Sequence, residues 1–340
     1  MSEIRVNLGE NSYDIIIKRG CLCEVSSLLN LNRKVLVVSD SGVPAKYIDT
    51  ILSQCKDGIS FVFESGEERK TLETYSKALS LMLKHNFSRK DCVVALGGGI
   101  SGDLAGFAAA SYMRGIDFYN IPTTVLSQVD SSIGGKTAVN LDGVKNIIGA
   151  FYQPKRVLID ADVLKTLPER QISNGLAEAL KMSLTSDAEL FNFFLNEDPY
   201  ASIETVIEKS LLIKKNVVEQ DEKEAGLRKV LNFGHTIGHG IESTQLDGTL
   251  YHGECVALGM IPMCSPEVRE QLVKCLKKLN LPVSFGFDEE KVLSAVTHDK
   301  KMSGSTVSAV FVPQPGTFEF REMTVSDIRK NLPLIKKSEV

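Results

Sequence analysis

Residues 92–111 read Cys92-Val-Val-Ala-Leu-Gly-Gly-Gly-Ile-Ser-Gly-Asp-Leu-Ala-Gly-Phe-Ala-Ala-Ala-Ser111 and carry the clearest fold signal in the chain. Residues 92–96 predict a buried strand, because short apolar runs rich in β-branched residues are typical of strands covered on both faces. The glycines at 97, 99 and 102 fit the pattern G-x-G-x-x-G, and the small residues after them predict a helix. Glycines let the backbone approach a pyrophosphate, and free N–H groups at a helix N-terminus attract an anion. The setting favours a nucleotide site, although a tight turn without any ligand uses the same pattern.

Strand-like segments surround this stretch. Residues 4–8 and 13–18 predict a hairpin, residues 34–39, 59–63 and 118–121 predict further strands, and residues 71–86 predict a helix. The helix has an apolar stripe of Leu72, Tyr75, Leu79, Met82 and Leu83. Strands alternating with helices predict an α/β fold, a parallel sheet with flanking helices of the Rossmann-like kind. The glycine loop follows the third of these buried strands, whereas an ordinary dinucleotide fold places it after the first.

The pattern changes near residue 168. Helices are predicted for residues 171–195, 202–219, 226–243, 253–263, 266–279 and 288–296, and strands only for residues 307–312 and 317–321. A length of 340 residues is enough for two domains with their own cores. We therefore expect an α/β domain over residues 1–168 and a mainly α-helical domain over residues 169–340.

Composition excludes several classes of protein. A net charge of −4 and a pI near 5.9 give no general basic field for nucleic acid or an anionic membrane. The N-terminus lacks the pattern of a signal peptide, and no run of about eighteen apolar residues predicts a membrane span. The seven cysteines are odd in number and show no C-x-x-C spacing, which favours reduced thiols and a cytoplasmic location.

Three of the five histidines fall between residues 235 and 252. His235 and His239 are four residues apart, so on a helix they share one face, a spacing that suits two imidazoles on one metal ion. His252 is a possible third ligand. Thr236 stands where a zinc protease of this spacing would carry its glutamate base. The alternative is a set of capped or core histidines.

Glu178 lies among alanines and leucines, one helical turn before Lys181. A carboxylate in such surroundings is unfavourable unless it is paired or ligated. One glutamate and two histidines would form a three-ligand zinc site with a position open for substrate. The alternative is an exposed salt bridge between the two residues.

A glycine-punctuated polar run covers residues 111–149 and suits the capture of phosphate and carboxylate groups. Each lysine in it could equally be an ordinary surface residue. Asp40 ends an earlier strand and is a candidate for ribose hydroxyls, with helix or turn capping as its alternative role. The polar side chains of the run are Arg114, Thr123, Thr124, Gln128, Asp130, Lys136, Lys145 and Asn146.

Taken together, these segments resemble the 3-dehydroquinate synthase family of sugar phosphate cyclases. The resemblance extends from about residue 35 to residue 301. It rests on Ser65-Gly-Glu-Glu-Arg-Lys70, residues 97–107, Pro122-Thr-Thr124, Ser127-Gln-Val-Asp-Ser-Ser132, Gly134-Gly-Lys-Thr-Ala-Val-Asn140, Lys145-Asn146, Gly149-Ala-Phe-Tyr-Gln153, Gly175-Leu-Ala-Glu178, Asn232-Phe-Gly-His-Thr-Ile-Gly-His239 and His252-Gly-Glu254.

The resemblance implies three sets of site residues. Zinc, or cobalt in its place, would be held by Glu178, His235 and His252. NAD would bind in the first domain, at Asp40, Ser65, Gly66, Glu67, Glu68, Arg69, Lys70, Gly99, Ile100, Ser101, Gly102, Asp103, Thr123, Thr124, Lys136, Lys145, Val163, Leu164, Lys165 and Thr166. The substrate, 3-deoxy-D-arabino-heptulosonate 7-phosphate, would contact Asp130, Lys136, Asn146, Lys181, Lys214, Glu224, Arg228, Asn232, His239 and Lys300. Arg114 would reach into a neighbouring subunit, which implies a homodimer.

The implied reaction is transient oxidation by NAD, β-elimination of phosphate, re-reduction, ring opening and an intramolecular aldol closure that yields 3-dehydroquinate. Three features depart from the family pattern: a short segment between Met260 and Pro266, Gly42 in place of a frequent asparagine, and Cys255 in place of a frequent alanine. Other sugar phosphate cyclases, metal-dependent glycerol or alcohol dehydrogenases, and a non-catalytic nucleotide sensor remain as alternatives.

Overall fold

The structure, a computed structural model, describes residues 1–245, 248–298, 302–303 and 306–337. It contains strands β1 Ser2–Val6, β2 Tyr13–Ile17, β3 Lys34–Asp40, β4 Asp57–Phe63, β5 Cys92–Gly97, β6 Asp117–Pro122, β7 Lys136–Leu141, β8 Val144–Phe151, β9 Arg156–Ile159, β10 Met302–Ser303, β11 Thr306–Phe311 and β12 Glu319–Thr324. Its α-helices are α1 Val25–Leu28, α2 Ala45–Leu52, α3 Leu72–Lys84, α4 Gly99–Ser111, α5 Glu169–Ser186, α6 Ala188–Asn196, α7 Ile203–Gln220, α8 His235–Thr244, α9 His252–Met260, α10 Pro266–Lys278, α11 Glu289–His298 and α12 Val325–Asn331. None of the described helices is both long and apolar enough to cross a membrane.

The chain forms two compact units. The first comprises Met1–Leu167 and Lys214–Glu222, and the second comprises Pro168–Ile213 and Lys223–Val340. Helix α7 is therefore shared between them, which a simple division of the sequence cannot express. The assignment of residues 1–168 and 169–340 to separate functional domains stays a prediction.

A seven-stranded sheet organises the first unit, in the order β1-β2-β9-β6-β5-β3-β4. Only the β1–β2 pair is antiparallel; the neighbours from β2 to β4 are parallel. The α/β fold class is thus confirmed, as is the opening hairpin. The hairpin β7–β8 lies outside this sheet and was not predicted.

Side chains alternate across strand β3 because successive residues of a strand point to opposite faces. Val35 and Val37 pack in an apolar layer with α2, whereas Leu36 and Val38 pack in a second layer with α3 and α4. Both faces of the sheet are covered, which explains the continuous apolar runs in the sequence. The predicted stripe of α3 is wrong at Leu83, which is 70% exposed, while Ala78 is buried in the core instead.

The second unit is mainly helical, with the small antiparallel sheet β10-β11-β12. Two of its predicted helices are each divided. The helix predicted for residues 171–195 breaks at Asp187, whose extended backbone and side chain cap α6 through a hydrogen bond from the Leu190 N–H. The helix predicted for residues 226–243 is a 3-10 helix, Leu227–Asn232, followed by α8, which begins after left-handed Gly234.

Candidate functional site

Helix α5 buries two charged side chains of the second unit. Glu178 and Lys181 are each 1% exposed, and the Lys181 ammonium donates to Glu178 Oε2. The alternative of an exposed salt bridge is therefore wrong, because the pair lies inside the protein. Breaking one partner of a buried ion pair is strongly unfavourable, so each residue constrains the other.

Three histidine rings gather beside this carboxylate. One ring nitrogen from each of His235, His239 and His252 lies within 4.8 Å of the others. Glu178 Oε1 is 3.5 Å from His252 Nε2 and 4.0 Å from His235 Nε2. Helices α8 and α9 bring all three rings to one place, and a shared metal site there stays a prediction.

The donor set fits a zinc or cobalt ion. Glu178 Oε1 is buried and accepts no hydrogen bond from the described residues. A buried carboxylate oxygen without a partner is unfavourable, and a metal ion at this position would satisfy it. Imidazole nitrogens and a carboxylate oxygen are ligands that both ions accept. Lys181 occupies the other oxygen, Oε2, so Oε1 is the one directed to the histidines.

Electrostatics in this cluster holds Glu178 and His235 in the forms that bind a metal ion. Burial raises the pKa of Glu178, but the charge of Lys181 and the neighbouring His252 ring outweigh it and hold the pKa well below its usual range. Burial, followed by the charge of Lys181, lowers the pKa of His235. At neutral pH the carboxylate is therefore charged and His235 is neutral, the forms in which both groups bind metals. Burial lowers the pKa of His252, but the neighbouring carboxylates of Glu178 and Glu242 outweigh it and raise the pKa to about 10. A metal ion bound to this ring would therefore displace a proton from it.

Further predicted substrate residues lie directly before α8. Asn232 donates from Nδ2 to Glu224 Oε1 over 2.8 Å, and Arg228 is 2% exposed on the same short helix. Glu224 adopts a left-handed backbone with φ 59°. Its side chain thus meets Asn232 across the turn. Lys300 lies outside the described residues.

In the first unit, the glycine loop of residues 97–103 sits at the carboxyl edge of the parallel sheet. Helix α4 begins at Gly99, directly after β5. A Cβ on Gly97 would lie 2.5 Å from Ser101 Oγ and 3.2 Å from Asp40 Oδ2, so only glycine fits there. Asp40 accepts a hydrogen bond of 2.6 Å from Ser101 Oγ and one of 3.0 Å from the Gly42 N–H. Ligands of α/β sheets bind at this edge.

The other predicted nucleotide residues follow the same edge. Thr123 and Thr124 come after β6, and the Thr123 N–H donates to Gly97 O over 2.9 Å. The segment of residues 65–70 follows β4. Val163 and Leu164 are buried in the 3-10 helix Ala161–Thr166 after β9, while Lys165 and Thr166 are exposed.

Lys70 connects a residue predicted to bind NAD with a residue predicted to bind substrate. Its ammonium is 4% exposed and donates to Asp103 of the glycine loop and to Asn146 of β8. Asn146 has a left-handed backbone with φ 57°, and its N–H donates to Asn140 Oδ1 over 2.8 Å. The unpredicted hairpin β7–β8 thereby carries Asn146 next to residues predicted for the nucleotide, and Lys145 lines a pocket with Glu67 and Glu68. Lys136 begins β7 and pairs with Phe151 at the other end of the hairpin.

A second buried lysine belongs to the first unit. Lys214 is 5% exposed, and its Nζ is 2.7 Å from Asp130 Oδ1. Asp130 lies in a short π-helix, Ser127–Ser131, an irregularity that is frequent at functional sites. Both residues were predicted to contact substrate, and the structure brings them together.

The contacts behind the histidine rings, at their Nδ1 atoms, were not predicted from the sequence. His252 Nδ1 is 3.0 Å from Glu242 Oε2, and His235 Nδ1 is 3.1 Å from Phe233 O. The spacing His235, His239, Glu242 was a usable signal, since residues i, i+4 and i+7 share a helix face. Cys255, a departure from the family pattern, is fully buried, and its Sγ is 3.2 Å from Gln245 Nε2.

Solved structures with a similar architecture include sugar phosphate cyclases and, at lower similarity, dehydrogenases. A 2-deoxy-scyllo-inosose synthase complexed with carbaglucose-6-phosphate, NAD+ and Co2+ is 26% identical, with a TM-score of 0.87 over 97% of this chain and 99% of that chain. The 2-epi-5-epi-valiolone synthase of Streptomyces hygroscopicus subsp. jinggangensis, with NAD+ and Zn2+ bound, is also 26% identical, with a TM-score of 0.87 over 96% and 97% of the two chains. A probable glycerol dehydrogenase from Sinorhizobium meliloti, 16% identical with a TM-score of 0.62 over 94% and 95% of the two chains, shares the fold alone.

The family itself follows from sequence. The family models of the N-terminal and C-terminal parts of 3-dehydroquinate synthase match residues 60–174 and 175–302, respectively. The 3-dehydroquinate synthase of Lactococcus lactis subsp. cremoris is 40% identical over 353 residues, 97% of this chain and 99% of that protein. The enzyme of Streptococcus pneumoniae is 39% identical over 97% of this chain and 99% of that protein. The chain belongs to the 3-dehydroquinate synthase family, and the resemblance seen in its motifs is confirmed.

Proposed function

We propose that this chain converts 3-deoxy-D-arabino-heptulosonate 7-phosphate to 3-dehydroquinate and inorganic phosphate, the second step of the shikimate pathway. Near-full-length identity of 40% to the Lactococcus lactis synthase carries the proposal. The buried Glu178 oxygen beside the histidine cluster supports it, because this reaction class needs a polarising cation at a substrate oxygen.

Bound NAD supplies a hydride acceptor that returns its hydride within the same turnover, and bound zinc or cobalt supplies a charge that polarises a substrate oxygen. Glu178, His235 and His252 would hold the metal ion. The loop of residues 97–103, Asp40, the segment of residues 65–70, Thr123-Thr124, Lys136, Lys145 and residues 163–166 would hold NAD.

The remaining predicted residues handle the substrate in this proposal. His239, a half-buried imidazole on the same helix as His235, would accept the proton of the C5 hydroxyl as that carbon is oxidised. The resulting ketone acidifies the C6 proton, and phosphate then leaves by β-elimination. Cations stabilise the departing phosphate and the carboxylate of the substrate. The contacts would come from Asp130, Lys136, Asn146, Lys181, Lys214, Glu224, Arg228, Asn232 and Lys300.

The decisive measurement compares phosphate release with the amount of NAD. With zinc, the heptulosonate phosphate and trace NAD, released phosphate should exceed NAD many-fold and no stoichiometric NADH should accumulate. Stoichiometric NADH formed from a simple alcohol, without phosphate release, would indicate a dehydrogenase instead. Phosphate release from glucose 6-phosphate, the sugar imitated by the carbaglucose ligand of the inosose synthase, would indicate another cyclase activity.

A homodimer in the cytoplasm completes the proposal. Arg114 is exposed and left-handed, with φ 68°, in the turn that follows α4. The adjoining Met113 and the β8 residues Val144, Ile147 and Phe151 expose between 42% and 50% of their surface. Exposed apolar side chains of this size, grouped in one unit, support a subunit interface through which Arg114 reaches a neighbouring site.

A further inference from the structure

Helices α8 and α9 form an antiparallel pair whose glycines permit close approach. A Cβ on Gly259 would lie 1.9 Å from Gly234 O, and a Cβ on Gly238 would lie 2.8 Å from Cys255 O. Residue 234 thus faces residue 259, and residue 238 faces residue 255. A step of four residues forward in α8 corresponds to a step of four residues back in α9. The next step of this register is residue 242 against the first turn of α9. The sequence of α8 therefore brings Glu242 to His252, the first residue of α9.

The observed contact agrees with that register. Glu242 Oε2 is 3.0 Å from His252 Nδ1, and the side chains are 19% and 34% exposed. The opposite ring nitrogen, Nε2, is 3.5 Å from Glu178 Oε1. The His252 ring thus lies between two carboxylates, one on the outer nitrogen and one in the cluster. A histidine that donates Nδ1–H to a carboxylate has Nε2 as its free ligand nitrogen.

The backbone of His252 is fixed independently of Glu242. Asn174 Oδ1 on α5 accepts a hydrogen bond of 2.6 Å from the Gly253 N–H. Glu254 accepts from the Tyr251 N–H and from Arg170 Nε, each over 2.7 Å. Removal of the Glu242 charge would therefore leave the start of α9 in place and release only the imidazole ring.

Glu242 is also poorly explained by helix stability. It lies in the last turn of α8, which ends at Thr244. Carbonyl groups at a helix C-terminus disfavour a negative charge. The contact with His252 compensates this negative charge in part.

We infer that Glu242 is a positioning residue of the metal centre: its carboxylate holds the Nδ1–H tautomer of His252, so that Nε2 is the ligand atom and binds the metal more tightly. Among the described residues, a backbone carbonyl, Phe233 O, has the same role for His235. The two histidines thus differ in the charge behind the ring. This inference rests on the proposed metal site and adds a residue to it.

The test uses the full chain and zinc itself. After removal of metal by chelation, the zinc dissociation constant is measured by competition with a chromophoric chelator for the unmodified protein, Glu242→Gln and Glu290→Gln. Glu290 is an exposed glutamate on α11 that pairs with Arg329 and serves as the matched control. We expect Glu242→Gln to bind zinc about 10- to 100-fold more weakly, the range typical of lost outer contacts, with Glu290→Gln unchanged.

A zinc dissociation constant of Glu242→Gln within about twofold of the unmodified protein, well below the range for such contacts, would overturn the inference. A second measurement needs no variant: the 15N spectrum of histidine-labelled, zinc-loaded protein should show His252 protonated at Nδ1 and metal-bound at Nε2. The reverse assignment would also overturn it. If the unmodified protein takes up no zinc, the metal site in the proposed function fails together with the inference; weak binding confined to Glu242→Gln supports both.

Discussion

Judged by geometry alone, His239 could be a ligand of the metal ion. Its ring centroid is 4.9 Å from that of His235 and 5.7 Å from that of His252. The family resemblance nevertheless assigns it to the substrate, with Glu178 as the expected third ligand of the metal ion. The two roles differ in a measurable way, because a lost ligand removes the metal whereas a lost proton acceptor does not.

We predict that His239→Ala retains about one zinc per chain, in line with a site completed by three protein ligands, and loses turnover by about 10²- to 10⁴-fold. Zinc content is measured by atomic absorption after dialysis, and turnover by phosphate release. His85→Ala, at an exposed position, should keep both. A zinc-free His239→Ala protein would mean that His239 is itself a ligand.

Single residues were predictable where an unusual chemical type stood in an unfavourable setting. Glu178 among apolar neighbours signals ligation because a buried carboxylate must be compensated. Glu242 gives a weaker signal: its spacing places it on the helix face of His235 and His239, but its partner is not evident from the sequence. Its contact depends on the register between α8 and α9, which is set by glycine packing and cannot be read from either helix alone.

At the scale of elements, continuous apolar runs are the reliable signal. Strand β3, predicted for residues 34–39, forms over Lys34–Asp40 because both faces of it are covered. The hairpin β7–β8 was missed because β8 leaves most of its residues exposed and alternates in burial only over its second half. It is held instead by polar contacts such as that between Asn140 and Asn146, which depend on the fold.

The close contact of Gly259 with Gly234, between α9 and the start of α8, is predicted to tolerate no added methyl group. Gly259→Ala should destabilise the protein by about 3 kcal/mol or more, since its Cβ would overlap the Gly234 carbonyl and force the helices apart. It should also weaken zinc binding, because the same register positions His252. Thermal unfolding and zinc competition are the measurements. Gly286→Ala, where an added Cβ meets nothing within 4 Å, is the control. Equal stability and equal zinc binding of the two variants would contradict the close contact at Gly259.

The opening hairpin provides a pH-dependent prediction. Asp14 on β2 accepts hydrogen bonds from Arg5 of β1 over 2.8 Å and from Arg156 of β9 over 3.3 Å. Burial raises the pKa of Asp14, but these arginines outweigh it and hold the pKa below its usual range. The unfolded chain therefore binds a proton more readily than the folded one, and the contribution of Asp14 to stability is complete above the unfolded pKa. It is lost as the pH falls through the lowered, folded value.

Asp14→Asn should accordingly lower the free energy of unfolding by about 1 kcal/mol at pH 7, a partly exposed pair being worth no more. The difference from the unmodified protein should shrink as the pH falls below about 4, the usual aspartate value. Denaturant unfolding at a series of pH values measures it. Asp57→Asn, at an exposed position that starts β4, should show little difference at any pH. A deficit for Asp14→Asn that persists undiminished at low pH would argue against the arginine contacts.

At the scale of the whole molecule, the sequence predicts the α/β class, the helical second half and the family. It does not predict that Lys214–Glu222 returns to the first unit, because a periodic helix such as α7 contains no mark of where its contacts change. The pairing of Lys214 with Asp130 follows from that return. A contact between residues 84 positions apart thus depends on tertiary packing, which local patterns do not contain.

If Arg114 contributes to the site of the neighbouring subunit, two inactive variants should restore activity when they form a heterodimer. Arg114→Ala and His239→Ala should each be nearly inactive as pure dimers. In a heterodimer of the two, the site with the intact His239 receives the intact Arg114 from its partner, while the other site lacks both. Random mixing makes half of the dimers heterodimers with one working site each, so about one quarter of the unmodified activity should return. Denaturation, mixing at equal concentrations and refolding, followed by phosphate release, measures this. If Arg114 served its own subunit, the site with the intact His239 would lack the arginine and no activity would return, and a monomer in sedimentation would exclude the exchange altogether.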